Sequence, residues 1–205
     1  PRSARRVPAV GSPASAGVAV IAFVRHGETA PNRAGLLLGR SDAALTDHGQ
    51  AQAQRVADTL AGLGAERVLT SPLRRAYDTA APIAAACDKE VEVDERLIEI
   101  DYGEWEGRPL TDLAPDVVDR WRRDGGFAPP GGESLEVVAG RVASFCDEWL
   151  DDRVVVAVSH VSPIKAAVTW TLRVPAELAW RMRLDVASVT RIGRGPVLLS
   201  FNETR

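Results

Sequence analysis

The sequence predicts an α/β fold: a three-layer sandwich with a mostly parallel central sheet flanked by helices. Three observations point there. Short apolar runs alternate with longer helical stretches, the pattern of strand-helix-strand units. The two strongest runs, VAVIAFV (18–24) and VVVAVS (154–159), are continuous rather than alternating, as expected of strands buried on both faces. No self-similarity at a period of about 20–50 residues suggests a solenoid or propeller.

The elements follow in order. After the first strand, 18–24, comes a polar loop, RHGETAPNRAGLLLGRSDAAL, and then a helix over about 47–63, with Thr46 able to cap its start and Gly64 placed to close its end. RVLT (67–70) reads as a second strand. Ser71-Pro72 reads as cap and first helical residue, and LRRAYDTAAPIAAA as a helix that Pro82 bends or ends early. VEVDERLIEI leads from a short strand into a loop, and 108–132 is punctuated by Pro and Gly around a small helix. An amphipathic helix is expected over about 133–150, with Leu135, Val138, Val142, Phe145 and Trp149 on one stripe. Strand 154–159, a helix over about 162–172, a segment led by Pro175 and two further strands at 185–192 and 196–201 complete the chain. Residues 1–17, rich in Pro, Ala, Ser and Gly, read as a flexible leader, and 18–205 as one domain.

Composition removes several classes of function. With 25 Lys+Arg against 28 Asp+Glu, the formal charge of −3 gives no electrostatic reason to expect nucleic acid or an anionic membrane as partner. No apolar run approaches the roughly 18 residues of a membrane span. The apolar stretch near the start runs straight into Arg25-His26, so it does not resemble a cleaved signal peptide. The expected location is cytoplasmic. Cys87 and Cys146 belong to no CxxC or Cys/His cluster, which excludes a structural zinc site, and both fall in helical stretches where buried free thiols are the common outcome.

In open α/β sheets ligands bind beyond the carboxyl ends of the strands. The residues expected at those ends are Arg25-His26, then Ser71 to Arg74, then the loop carrying Glu99, then Ser159-His160. Two arginines and two histidines gathered there suit a compact dianion, because a guanidinium fork matches phosphate oxygens with paired hydrogen bonds. A neutral imidazole kept unprotonated by adjacent cations can attack phosphorus. A carboxylic acid can protonate the departing oxygen and later, as carboxylate, take a proton from water; Glu99 is the candidate. No cofactor or metal-ligand set is evident, so the cations must neutralise the phosphoryl charge.

These residues also carry a family resemblance. FVRHGET (23–29) resembles the signature of the histidine phosphatase superfamily, the phosphoglycerate mutase-like enzymes. LTDHGQAQA (45–53), TSPLRRAYDTA (70–80), ERLIEIDYGEWEG (95–107), PPGGES (129–134) and VSH (158–160) resemble further family segments in the family's order. The resemblance implies that His26 is the nucleophile that becomes phosphohistidine. It implies that Arg25, Arg74 and His160 grip the phosphoryl group and that Glu99 is the proton donor. Asn32 would touch phosphate, and the Gly39 backbone would lie close to substrate. The chain departs from the pattern at Val161, where many members have Gly, and at Pro31. The segment after WEG is short beside that of the mutases, which leaves the pocket open to water and implies hydrolysis.

The expected function is thus a metal-independent phosphomonoesterase acting on small phosphorylated metabolites. A mutase-type isomerase and a non-catalytic binding protein of the same scaffold are the competing readings. The resemblance leaves a homodimer open, and the sequence marks no interface. His48, Arg33, Arg40 and Arg75 read as surface positions, and Trp121, Trp149, Trp170 and Trp180 as packing.

Overall fold

A computed structural model of the chain describes residues 19–151 and 153–204; the expected leader lies outside them. Six strands form one sheet: β1 (Val20–Arg25), β2 (Arg67–Thr70), β3 (Val91–Val93), β4 (Val154–Ser159), β5 (Val189–Gly193) and β6 (Val197–Glu203). Their order is β3-β2-β4-β1-β5-β6. The first four are parallel, and β5 and β6 add an antiparallel edge. The helices are α1 (Ala30–Arg33), α2 (Asp47–Leu60), α3 (Arg74–Ala86), α4 (Pro115–Arg123), α5 (Leu135–Trp149) and α6 (Val161–Leu172).

The continuous apolar runs are explained by two cores. Along β1, Ile21 and Phe23 face one core with Val142, Phe145 and Ile164 of α5 and α6, while Ala22 and Val24 face the other with Val56, Leu60, Ala76 and Ile83 of α2 and α3. Side chains of a strand alternate in direction, so both sets must be apolar. A third cluster packs Trp105, Leu113, Val118 and Trp121 around α4, with Trp121 and Trp180 ring centroids 4.6 Å apart. It gives the 108–132 region a small core of its own.

Several boundaries differ from expectation for identifiable reasons. Thr46 caps α2 as expected, accepting from the Gly49 N–H, but the helix ends at Leu60; Gly64, at φ +73°, belongs to the turn that follows. Helix α3 starts later than expected, with Leu73 as its cap residue, because Ser71 is engaged elsewhere. Pro82 sits within α3 without ending it. Ser134 caps α5, accepting from the Val137 N–H, and the whole predicted apolar stripe is buried. The segment after Pro175 forms a 3-10 turn over Ala176–Arg181. No helix among the described residues is long and apolar enough to cross a membrane.

Candidate active site

Sheet register brings the histidines together. In the parallel β1–β4 pair, Arg25 lies opposite Ser159, so the next residues, His26 and His160, leave the sheet side by side. The His26 N–H donates to the Ser159 carbonyl at 3.0 Å, and the two imidazole centroids are 5.0 Å apart. Strand β2 ends on the other side of β4, where the Ser71 N–H donates to Val158 and Ser71 Oγ lies 2.7 Å from His160 Nε2. That contact uses the hydroxyl expected to cap α3. The loop after β1 can lie flat on α2 because both facing residues are glycines: a Cβ on Gly27 would sit 2.4 Å from the Gly49 carbonyl oxygen.

The orientation of His26 follows from one hydrogen bond. Its Nδ1 is 2.7 Å from the Gly27 carbonyl, which can only accept, so Nδ1 carries the proton and Nε2 keeps a lone pair. The Gly27 N–H is held by Thr79 Oγ1 at 3.0 Å, and that hydroxyl donates to the Arg75 carbonyl. Burial, then the Arg25 and Arg75 guanidiniums, hold the His26 imidazole well below its usual range. Burial, then His26, Arg75, Arg25 and Arg141, do the same to His160. Both rings are neutral in the folded protein, the state a nucleophile needs.

The cations are placed by backbone carbonyls. Arg25 Nη1 donates to Leu184 at 2.6 Å, while Arg75 Nη1 and Nη2 donate to Ser41 and Gly39 at 2.8 and 2.6 Å. Arg75, not the expected Arg74, is the second arginine of the cluster. It is 0% exposed, whereas the Arg74 side chain is 64% exposed and pairs with Asp78 one turn on. Helical periodicity is the cause: Arg75 lies on the α3 stripe of Ala76, Thr79, Ala80 and Ile83 that is buried, while Arg74, about 100° round the helix, faces solvent. That stripe was present in the sequence and would have selected Arg75.

Glu99 is 3% exposed and anchored at three points. Its Oε1 accepts from the Ile100 and Ser162 N–H groups at 2.8 and 3.1 Å, and its Oε2 from Val161 at 3.1 Å. Two of these donors open α6, where the helix dipole also favours a carboxylate. Valine in place of glycine at 161 thus leaves the backbone donor in use. Gly39 has no room for a side chain, since a Cβ would stand 2.6 Å from the Ile100 carbonyl oxygen; its own carbonyl holds Arg75 and its N–H donates to Glu106 at 3.0 Å. Asn32 closes a capping box with Thr29, its Oδ1 accepting from the Thr29 N–H and hydroxyl, so it holds the first turn of α1. Arg33 and Arg40 pair with Glu28 and with Asp101 and Glu133 at the surface. Sequence reasoning missed Thr79 and the part Glu106 plays in holding Gly39; Ser71 was among the strand-end residues expected at the site, and Arg75 was read as a surface position.

Three buried nitrogens of this cluster have no hydrogen-bond partner: Arg25 Nε, Arg75 Nε and His160 Nδ1. Buried polar nitrogens of this kind each cost about 1–3 kcal/mol unless a ligand satisfies them. With two guanidiniums, one carboxylate and two neutral imidazoles, the cluster calls for an anion with several acceptor oxygens. Among the described residues, no group of three or more His, Cys, Asp or Glu side chains is arranged to hold a metal ion.

The neutral histidines also set a stability dependence. The unfolded chain protonates them near pH 6.5 and the folded chain resists, so stability is full above that value and falls as the pH drops toward the depressed folded values. Each contributes up to about 1.4 kcal/mol per pH unit in that window. Urea midpoints should therefore fall between pH 7.5 and 5.5, and less steeply in H26N; equal slopes in the two proteins would show that His26 is not buried neutral.

An α/β sheet that delivers paired imidazoles between paired guanidiniums is the scaffold of a histidine-centred, phosphoryl-binding protein. Comparison settles the family. The family model described as "Histidine phosphatase superfamily (branch 1)" matches residues 21–203, and the chain belongs to that superfamily. It is 37% identical over 175 residues to the bifunctional protein Rv2228c of Mycobacterium tuberculosis, covering 82% of this chain and 48% of that protein. The chain thus spans about half the length of that mycobacterial relative. It is 34% identical over 194 residues to phosphoserine phosphatase 1 of Hydrogenobacter thermophilus, covering 89% of this chain and 91% of that one. Among solved structures, the mycobacterial glucosyl-3-phosphoglycerate phosphatase Rv2419c in complex with VO3 superposes with a TM-score of 0.82 at 30% identity, over 90% of this chain and 99% of that one.

Proposed function

We propose that the chain is a phosphomonoesterase that hydrolyses small phosphorylated metabolites through a phosphohistidine on His26, without a metal. The observation that carries this reading is the buried cluster of unpartnered cationic and imidazole nitrogens around a histidine whose tautomer leaves Nε2 free. The phosphatase names of the relatives support it.

In the first step His26 Nε2 bonds to phosphorus as the P–O ester bond breaks, and the Glu99 carboxyl gives its proton to the departing alkoxide. Arg25, Arg75 and His160 neutralise the oxygens of the phosphoryl group in transit. In the second step water attacks phosphorus, the Glu99 carboxylate takes its proton, and the P–N bond returns its electron pair to Nε2. Inorganic phosphate leaves. Water is the acceptor because the segment between Trp105 and Ser134 folds as a short arm with its own core and adds no long cover. A cytoplasmic setting belongs to the same reading.

The test is hydrolysis of p-nitrophenyl phosphate at neutral pH in excess EDTA, with quenching to trap the phosphoenzyme. Turnover should survive the chelator and leave an acid-labile, alkali-stable phosphoryl adduct. Loss of turnover on chelation would overturn the metal-free mechanism, and a mutase would instead show exchange between phosphoglycerate isomers with little release of phosphate.

A further inference from the structure

Arg25 and His26 are gripped by one loop, 184–188, which leads into β5. The Leu184 carbonyl accepts from Arg25 Nη1 at 2.6 Å, the Ser188 carbonyl accepts from the Arg25 N–H at 3.0 Å, and the Ala187 N–H donates to the His26 carbonyl at 3.2 Å. Anchoring the guanidinium at Nη1 leaves Nε buried and unpartnered among the described residues, so the loop decides where that donor points. The loop is strained. Ala187 has φ +54°, in the left-handed region that a Cβ disfavours. Backbone of this kind persists only where its surroundings hold it.

Asn202 supplies the hold. In the antiparallel β5–β6 pair, Val189 lies opposite Glu203 and Arg191 opposite Ser200, so Phe201 and Asn202 together face Thr190. The extra residue makes a bulge, which re-aims a side chain. Asn202 has φ +56°, a conformation asparagine accepts better than most residues, and its N–H donates to Thr190 Oγ1 at 3.2 Å. Its side-chain amide then reaches the loop. Oδ1 accepts from the Asp185 N–H at 2.7 Å, and Nδ2 donates to Asp185 Oδ2 at 2.9 Å. The Ser188 hydroxyl donates to the Asp185 carbonyl at 2.7 Å, which ties the far end of the loop to the same residue. The Asp185 carboxylate also attracts the Arg25 charge, while its Oδ1 accepts from Arg183 Nε at 2.9 Å.

Resting on the phosphatase reading above, we infer that Asn202 is a positioning residue for phosphoryl transfer: its paired hydrogen bonds to Asp185 lock the loop that aims the Arg25 guanidinium and holds the His26 main chain. Its influence reaches the reacting groups through the loop. A displacement of about 1 Å in a group that must meet the transition state can cost about 100-fold in rate.

The experiment measures kcat and KM for p-nitrophenyl phosphate, affinity for orthovanadate and urea stability in N202G, N202D and the reciprocal variant D185N/N202D. Glycine accepts φ +56° without strain, so N202G removes the two side-chain bonds alone. Its kcat should fall about tenfold or more and vanadate should bind correspondingly less tightly, with KM changing by less than about threefold, because a misaimed guanidinium costs most in the transition state. N202D sets one carboxylate against another and should be impaired at least as much. In D185N/N202D the amide and the carboxylate change places, which restores both bonds at the same net charge, and kcat should return to within about threefold of the parent. Lower stability with unchanged kcat and vanadate affinity in N202G overturns the assignment, since Asn202 would then serve the fold alone. Failure of the reciprocal variant to recover overturns it too, by showing that the bond pair is not what aims Arg25. Absence of turnover in the unsubstituted protein removes the phosphatase reading instead; vanadate affinity still reports on Arg25, and unweakened binding in N202G would then overturn the role of Asn202 as well.

Discussion

Replacing His26 by alanine should lower p-nitrophenyl phosphate turnover by about 10⁴-fold or more and abolish the trapped phosphoryl adduct, because the covalent route has no second nucleophile to fall back on. His160 is the only other imidazole in the cluster, and its Nε2 is taken by Ser71. The geometry that makes His26 reactive is built from the backbone: the Gly27 carbonyl fixes the proton on Nδ1, and hydrogen bonds to Ser159 and Ala187 hold the main chain on both sides. H26N is the sharper variant, since the amide keeps much of the volume and a hydrogen bond to Gly27 while removing the nucleophilic lone pair. The check is single-turnover quench kinetics beside steady-state rates. Activity within tenfold of the parent in both variants would mean that water attacks phosphorus directly and that the cluster acts only by charge.

Both substitutions should also reduce the acid sensitivity of folding. A protein that loses activity and keeps its full acid sensitivity would place the destabilising proton elsewhere, on His160 alone. Function and stability are linked here because the neutral imidazole suited to attack is also the buried imidazole that resists protonation.

How far the sequence disclosed this arrangement depended on whether local pattern or long-range contact decides each part. Strands β1, β2 and β4 were legible because burial on both faces leaves a continuous apolar run. His26 and His160 were legible because each stands just past the end of such a strand, and register then brings them together, whereas Glu99 lies in a loop and was picked out by the family resemblance. The ends of α2 and α3 were not, since Gly64 and Ser71 carry cap chemistry that the fold puts to other use. Asn32 and Gly39 were found as positions, but the structure gives them to a helix cap and to the seat of Arg75.

The arginine pair of α3 offers the clearest contrast, because adjacent and chemically identical residues should behave oppositely. R75A should lower kcat by about 10³-fold, the scale of losing one fixed donor or arginine from a phosphoryl transition state. R74A should leave the rate within twofold, since its surface pair with Asp78 is worth about 0.3–0.5 kcal/mol. Removing Arg75 also strands the buried Gly39 carbonyl, at roughly 1–3 kcal/mol for a buried acceptor left unpaired, and frees the exposed Ser41 carbonyl, so urea unfolding must accompany the kinetics. R75K separates the two effects. Its ammonium keeps the charge but cannot span both carbonyls and still present a donor to phosphate, so the rate should remain depressed by about 10²-fold even where folding is largely recovered. Equal losses in R74A and R75A would contradict the helical phase that buries one and exposes the other. A lysine variant with full activity would show that charge alone, rather than the fixed fork of a guanidinium, stabilises the phosphoryl group.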